Sequence, residues 1–144
     1  MRLAPVPLFY AQGDTDALLE NCELSSVTTH RAATALHACR LFGLLIRNAL
    51  SAQTKEEIFV TSDDFSNAPT SIQQIADRTY LEKSELDIRG TGYVAESLEA
   101  ALWAFETTSS YEEGALKAVN LGDDADTNGA VFGQIAGAFY GEKG

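Results

Sequence analysis

The 144-residue chain has the length of one domain, and its 45% hydrophobic and 22% charged residues are typical of a soluble globular protein. We therefore expect a single domain over residues 1–144. The formal net charge of -11 argues against extended binding to nucleic acid or to an anionic membrane. The short N-terminal apolar stretch is interrupted by Pro5 and Pro7, so it predicts neither a signal peptide nor a membrane span, and a cytoplasmic location is expected.

Helical periodicity recurs along the chain without any convincing run of alternating apolar and polar residues, which predicts an all-α fold. Asp14 is positioned to cap a short helix around residues 17–19, and the polar segment 25–30 separates it from the next helix. Apolar spacings of three and four predict a long helix over residues 32–50. Its predicted buried face consists of Ala35, Leu36, Cys39, Phe42, Leu45, Ile46 and Ala49.

The middle of the chain carries a weaker helical pattern. Residues 55–60 and 71–80 are predicted to form short helices around a polar turn at 62–67. A clearer helix is predicted over residues 94–105, after the glycine-containing break at 90–92. Both cysteines, Cys22 and Cys39, lack metal-binding or disulfide-rich spacing and are expected to be free, buried thiols.

Two helices are predicted at the C-terminal end of the chain. Ser110 and Glu113 have the spacing of a capping box that begins the first helix, and Gly122 ends it. The second helix is predicted over residues 128–140 and contains glycines at a strict four-residue interval. Because interior glycines destabilise a helix, this stripe predicts close packing against another backbone. Its members are Gly129, Gly133 and Gly137.

Residues 122–127, with the sequence GDDADT, concentrate three carboxylates and one hydroxyl at the junction between these two helices. Oxygen donors of this kind suit Mg²⁺, Mn²⁺ or Ca²⁺, although the spacing is not that of an EF-hand. Asp and Thr are also favoured helix caps, and on residue types alone capping is the more frequent role. The residues by themselves leave both interpretations open.

Other catalytic signatures are absent from the sequence. It contains no GxSxG, HExxH or GxxxxGK[ST] motif, so serine-hydrolase, zinc-protease and P-loop functions have no support. His37 falls inside the predicted long helix, which favours a structural role. His30 stands beside two threonines, where a polar site and a simple turn are both reasonable.

Several separated segments together resemble the ADP-ribosylglycohydrolase family. Residues 120–130 (NLGDDADTNGA) followed by 133–141 (GQIAGAFYG) resemble the C-terminal signature of that family. Residues 92–105 resemble its G-Y-V…L-x-A-A-L-W-A-F helix, residues 25–30 resemble its S-S-x-x-T-H element, and the opening MRLAPV is also similar. The resemblance covers nearly the whole chain and implies a compact, orthogonal multi-helix fold that is only partly present.

The resemblance also implies functional residues. Asp124, Asp126 and Thr127 match ligands of a two-metal Mg²⁺ or Mn²⁺ site, whereas Asp123 takes a position often held by glycine. His30 falls where the family places a histidine near bound ADP-ribose, and Tyr93 lies in a stretch that lines the same pocket. Neither of these two residues is expected to act as a nucleophile.

The resemblance implies that the family's N-terminal half is missing here, the half from which relatives supply the opposite metal ligands through a Thr-Asp-Asp motif and further acidic residues. Residues 61–64 only superficially resemble that motif, because they occupy the wrong place in the family's order. We therefore expect half of the ligands here, and an N-terminal half or self-association as possible partners.

The function implied by the resemblance is metal-dependent hydrolysis of an ADP-ribosyl glycosidic bond, with ADP-ribose or an ADP-ribosylated molecule as the substrate. The alternative is a non-catalytic helical protein that binds ADP-ribose or metal, or that has a structural role. The sequence leaves the acceptor group open.

Overall fold

The computed structural model describes residues 1–61 and 63–143, which contain eight α-helices, three short 3-10 helices and no strand. The predicted all-α fold is therefore confirmed. The 3-10 helices span Thr79–Glu82, Glu85–Asp87 and Gly141–Lys143. The α-helices are α1 (Pro5–Phe9), α2 (Thr15–Val27), α3 (Ala33–Ala49), α4 (Lys55–Ile58), α5 (Thr70–Ala76), α6 (Val94–Glu106), α7 (Tyr111–Asn120) and α8 (Ala125–Tyr140).

The core is built around α3 and α6, which contact each other and also α8. Residues 41–46 of α3 and 100–105 of α6 are all buried, because these helices have neighbours on several sides. The helices predicted over residues 32–50 and 94–105 are thus confirmed in position. The predicted apolar face of α3 is buried except for Leu36 and Cys39, which are half-buried.

Several helix boundaries before residue 90 differ from the prediction, most clearly those of α2 and α5. Helix α2 continues to Val27 through serines that were predicted to separate two helices. Ser26 is buried, and its hydroxyl donates a hydrogen bond to the His30 carbonyl at 3.0 Å, so the polar side chain is locally satisfied. Helix α5 ends at Ala76 instead of near Tyr80, because Arg78 adopts a left-handed backbone conformation with φ 58°. Ser62, in the predicted polar turn, lies outside the described residues.

The predicted caps are confirmed at Asp14 and in part at Ser110. The Asp14 carboxylate accepts the Ala17 N–H at 2.9 Å, and the Ser110 hydroxyl accepts the Glu113 N–H at 3.2 Å. The Glu113 carboxylate, however, accepts the N–H of Ser109 at 3.0 Å. The reciprocal half of the capping box is therefore shifted by one residue from the predicted position.

The glycine stripe was interpreted incorrectly. A Cβ at Gly129 would lie 3.0 Å from a methyl group of Val119, and one at Gly133 would lie 3.4 Å from the Tyr111 hydroxyl. Gly137 is exposed, and a Cβ added there would meet no atom within 4 Å. These glycines therefore face side chains of α7 and solvent rather than a closely packed backbone.

Both cysteines are free thiols, as predicted, but only Cys22 is fully buried, and Cys39 is half-buried. Burial raises the pKa of the Cys22 thiol to about 12 and also raises the pKa of Cys39. Among the described helices, none combines the length and apolar character that crossing a bilayer requires.

Candidate functional site

A cavity of about 600 Å³ lies between the end of α2, the first half of α3 and the starts of α6 and α8. Its wall is largely apolar, with polar side chains at a few positions. A pocket of this size and composition is typical of a small-molecule site. The principal apolar lining residues are Ala35, Ala38, Phe42, Val94, Leu98 and Val131.

Four of the five predicted site residues line this cavity. They come from three separate parts of the chain, which the packing of α2, α6 and α8 brings together. The exception is Asp126, which is exposed and does not contribute to the wall. The four residues brought together are His30, Tyr93, Asp124 and Thr127.

The backbone explains why Asp124 and Thr127 share the cavity and Asp126 does not. Gly122 and Asp123 both have positive φ values, 78° and 49°, and this left-handed turn ends α7 and places Asp124 at the N-cap of α8. Helix α8 begins at Ala125, three residues before its predicted start, so Asp126 and Thr127 both lie in its first turn. Positions three apart share a helix face, whereas positions two apart do not.

The Asp124 carboxyl is half-buried and its pKa lies below the ordinary value. The largest cause is the Thr127 side chain, followed by the side chain of Asp126. The amide of Thr127 has the smallest favourable effect, and it forms no capping hydrogen bond of normal geometry with the carboxylate. Asp124 is therefore an ionised oxygen donor at neutral pH that is not committed to capping the helix.

The donor chemistry of this wall fits a hard divalent cation in type but not in number. Asp124 and Thr127 offer a carboxylate and a hydroxyl to the same cavity. Within residues 1–61 and 63–143, however, no group of three or more His, Cys, Asp or Glu side chains is arranged to hold a metal ion. Such a cation would need further ligands from solvent, substrate or another polypeptide segment.

His30 lies just beyond the end of α2, where its backbone N–H donates to the Ser26 carbonyl at 2.7 Å. Its Nδ1 atom is 3.0 Å from the Thr29 hydroxyl oxygen, which also accepts a hydrogen bond from the Arg2 guanidinium at 3.2 Å. Arg2 donates further to the Ser25 carbonyl at 3.1 Å. The sequence alone did not indicate a role for Arg2, because Ser25 and Thr29 lie more than twenty residues away along the chain and share no local sequence pattern with it.

Tyr93 is the N-cap residue of α6 and is 52% exposed, so most of its ring is available at the cavity mouth. Its N–H donates to the Thr91 hydroxyl at 3.1 Å. Gly92 brings this loop against the acidic segment, since a Cβ there would lie 2.7 Å from an Asp124 carboxylate oxygen. The sequence predicted that the glycines at positions 90 and 92 interrupt a helix. It did not predict that Gly92 contacts the opposite wall of the cavity.

Comparisons with known proteins agree with this architecture. A family model described as ADP-ribosylglycohydrolase matches residues 1–144. The chain is similar to ADP-ribosylarginine hydrolase Tri1 of Serratia proteamaculans, with 34% identity over 98% of this chain and 38% of the relative. It is also similar to ADP-ribosylarginine hydrolase Tri1 of Pseudomonas putida, with 37% identity over 100% of this chain and 38% of the relative.

A solved structure described as an ADP-ribosylglycohydrolase-related protein complex superposes with a TM-score of 0.77 and 40% identity, over 86% of this chain and 43% of that chain. The present chain thus spans 38% of the length of both curated hydrolases that it matches. The match over all 144 residues, together with this structural likeness, places the chain in the ADP-ribosylglycohydrolase family.

Proposed function

We propose that this chain forms one wall of an active site that hydrolyses ADP-ribosyl glycosidic bonds, with ADP-ribosylarginine as the substrate class. The observation that carries the proposal is the convergence of His30, Tyr93, Asp124 and Thr127 on one cavity of about 600 Å³. The names of two relatives, both ADP-ribosylarginine hydrolases, support this substrate class.

The cavity wall offers complementary contacts to the parts of an ADP-ribosyl group. Its apolar side chains and the exposed Tyr93 ring suit the adenine or the carbon faces of a ribose. Asp124 and Thr127 present oxygens that can hold ribose hydroxyl groups. Among the described residues that line the cavity, Arg2 is the one lysine or arginine. Its positive charge would offset the repulsion between a diphosphate and a chain of net charge -11.

His30 would provide a hydrogen bond to the substrate rather than a covalent attachment. The Thr29 hydroxyl oxygen accepts from the Arg2 guanidinium and also lies 3.5 Å from the Ser26 carbonyl oxygen and 3.0 Å from His30 Nδ1. Thr29 therefore occupies the Nδ1 edge of the imidazole, whichever of the two atoms donates. We infer that Nε2 is the ring nitrogen that His30 presents to the ADP-ribosyl group.

Asp124 and Thr127 would hold Mg²⁺ or Mn²⁺, with Asp126 contributing if its exposed side chain turns toward them. A bound cation of this type supplies Lewis acidity, which polarises a coordinated oxygen and lowers the pKa of a bound water molecule. We propose that the remaining ligands come from the N-terminal half of the family's full-length proteins, because the described residues offer too few. Asp124 itself, ionised and half-buried, orients the ribose hydroxyls at the reacting end of the cavity.

Release of ADP-ribose from ADP-ribosylarginine tests the proposal. The chain is assayed with Mg²⁺, alone and with the N-terminal segment of a full-length relative, and Asp124→Asn is compared with Asp123→Asn. The second variant removes the same charge one residue away, at an exposed position outside the cavity whose left-handed backbone asparagine tolerates. We expect turnover only with the added segment, abolished by Asp124→Asn and retained by Asp123→Asn.

Two results would count against this function. Equal turnover in the two variants would remove Asp124 from the reacting site. Calorimetric binding of ADP-ribose without turnover, even with the added segment, would instead favour the non-catalytic binding role.

A further inference from the structure

We propose that Asn128 is a positioning residue, which holds the loop of residues 90–93 against the first turn of α8 and so fixes Tyr93 relative to Asp124. The effect on ligand binding rests on the proposed function, whereas the structural link can be tested without it. No sequence motif assigned a role to Asn128, and it does not line the cavity.

The contact with α8 consists of two hydrogen bonds to one carbonyl oxygen. The side-chain amide of Asn128, which is fully buried, donates to the Gly90 carbonyl at 2.8 Å. The backbone N–H of Asp124 donates to the same oxygen at 2.9 Å. A carbonyl oxygen can only accept a hydrogen bond, so the NH₂ group of the Asn128 amide, and not its oxygen, faces the loop.

The contact is close enough to require glycine on the loop side. A Cβ at Gly90 would lie 2.3 Å from the Asn128 amide nitrogen, 3.1 Å from Cβ of Leu121 and 3.2 Å from the Gly122 carbonyl oxygen. Two of these three neighbours are the turn that precedes Asp124. The loop and the start of α8 are therefore matched to each other from both sides.

The other side of the loop is attached to α6. The Thr91 hydroxyl donates to the Glu96 carboxylate and accepts the Tyr93 N–H at 3.1 Å. These bonds keep Tyr93 at the start of α6 but give it no connection to Asp124. The two hydrogen bonds to the Gly90 carbonyl, from the Asn128 side chain and the Asp124 amide, thus attach the loop to α8 beside the close approach of Gly92 to the Asp124 carboxylate.

Packing stability alone does not account for asparagine at this position. The Asn128 Oδ1 atom is buried and finds no hydrogen-bond partner among the described residues. Burying such an oxygen is unfavourable, and an apolar side chain of similar size would avoid that cost. The feature that an apolar side chain could not reproduce is the hydrogen bond from the amide nitrogen to the loop.

Amide hydrogen exchange, followed by NMR on the full 144-residue chain, tests the link directly. Asn128→Leu removes the side-chain hydrogen-bond donor on α8. Gly90→Ala adds a methyl group on the loop that would push the loop away from Asn128. We expect exchange at the Asp124 and Tyr93 amides to accelerate about fivefold, the factor that matches the net value of one buried hydrogen bond. Gly137→Ala is the matched control on α8, because a Cβ there meets no atom within 4 Å.

Calorimetry with ADP-ribose and Mg²⁺ supplies the second measurement, in which both variants should weaken binding about fivefold and the control should not. Unchanged exchange at Asp124 in both variants would overturn the proposal, as would a uniform acceleration along α8, which indicates general destabilisation. If Asn128→Leu does not fold, Gly90→Ala decides the outcome. If the wild-type chain binds no ADP-ribose, the proposed function loses support, while exchange still decides whether Asn128 holds the loop.

Discussion

Replacing Glu106 with glutamine should destabilise the fold by about 2 kcal/mol. The Glu106 side chain is only 4% exposed and lies at the end of α6, where it accepts hydrogen bonds from the Arg78 guanidinium and the Tyr80 hydroxyl. Breaking a fully buried ion pair by removing one partner costs about 3–5 kcal/mol. The smaller value applies here because Arg78 is 30% exposed and can be hydrated, and because glutamine preserves the shape and one acceptor.

Thermal unfolding measured by circular dichroism and calorimetry provides the assay. For a chain of this size, a loss of about 2 kcal/mol lowers Tm by about 4–8 °C. Arg89→Gln is the control, because it also removes one member of an ion pair, with Glu96 at 3.8 Å. Arg89 is 68% exposed and the Glu96 side chain that it leaves is 31% exposed, so its removal should cost less than about 1 kcal/mol.

A double-mutant cycle decides whether the group acts as a unit. Tyr80→Phe removes only the hydroxyl, and in combination with Glu106→Gln its effect should be smaller than in the wild-type chain. If the two effects simply add, or if Glu106→Gln costs no more than Arg89→Gln, the inference that a buried carboxylate organises this turn is wrong.

Three further perturbations follow from local geometry. Gly92→Ala would push a methyl group against the Asp124 carboxylate. It should weaken Mg²⁺-dependent ADP-ribose binding about two- to tenfold, the range expected when a side chain is forced off its rotamer. An unchanged affinity by calorimetry would contradict this prediction. Gly137→Ala should raise the free energy of unfolding by about 0.5–1 kcal/mol in urea titrations, since a Cβ there meets open space, and a loss of stability would show that another surface covers the site. The pKa of Cys22 is raised from 9.0 to about 12, so between these pH values the folded state keeps a proton that the unfolded state loses. The free energy of unfolding should therefore fall as the pH rises from 9 toward 12. Cys22→Ala should reduce this fall more than Cys39→Ala does.

The sequence predicted the helices that carry strong apolar periodicity. Helices α3 and α6 appear where their three- and four-residue spacings indicated, because burial on several sides reinforces the local pattern. Helix α1 was not predicted, because two prolines interrupt the short N-terminal apolar stretch. Pro5 in fact occupies the first helical position, where a missing N–H costs nothing.

The errors arose where tertiary contacts override local signals. The glycine spacing in α8 was correct, but no local rule distinguishes a stripe that meets a backbone from one that meets side chains and solvent. The early end of α5 depends on the left-handed conformation of Arg78, whose side chain pairs with Glu106 twenty-eight residues away. Likewise, the role inferred for Asn128 depends on Gly90, which no helical spacing connects to it.

The acidic segment illustrates how structure can separate two roles that sequence cannot. Asp124 occupies the N-cap position of α8, a place that residue types favour for aspartate, although the helix was predicted to begin three residues later. Its carboxylate nevertheless forms no capping hydrogen bond of normal geometry and instead lines the cavity together with Thr127. The turn before α8 is held from outside, because the Asp124 N–H donates to the Gly90 carbonyl, whereas a capping carboxylate would accept the N–H of Asp126 or Thr127. With the backbone secured by the loop, the carboxylate remains available for a ligand, which is why the loop contact and the proposed chemistry at Asp124 should be lost together.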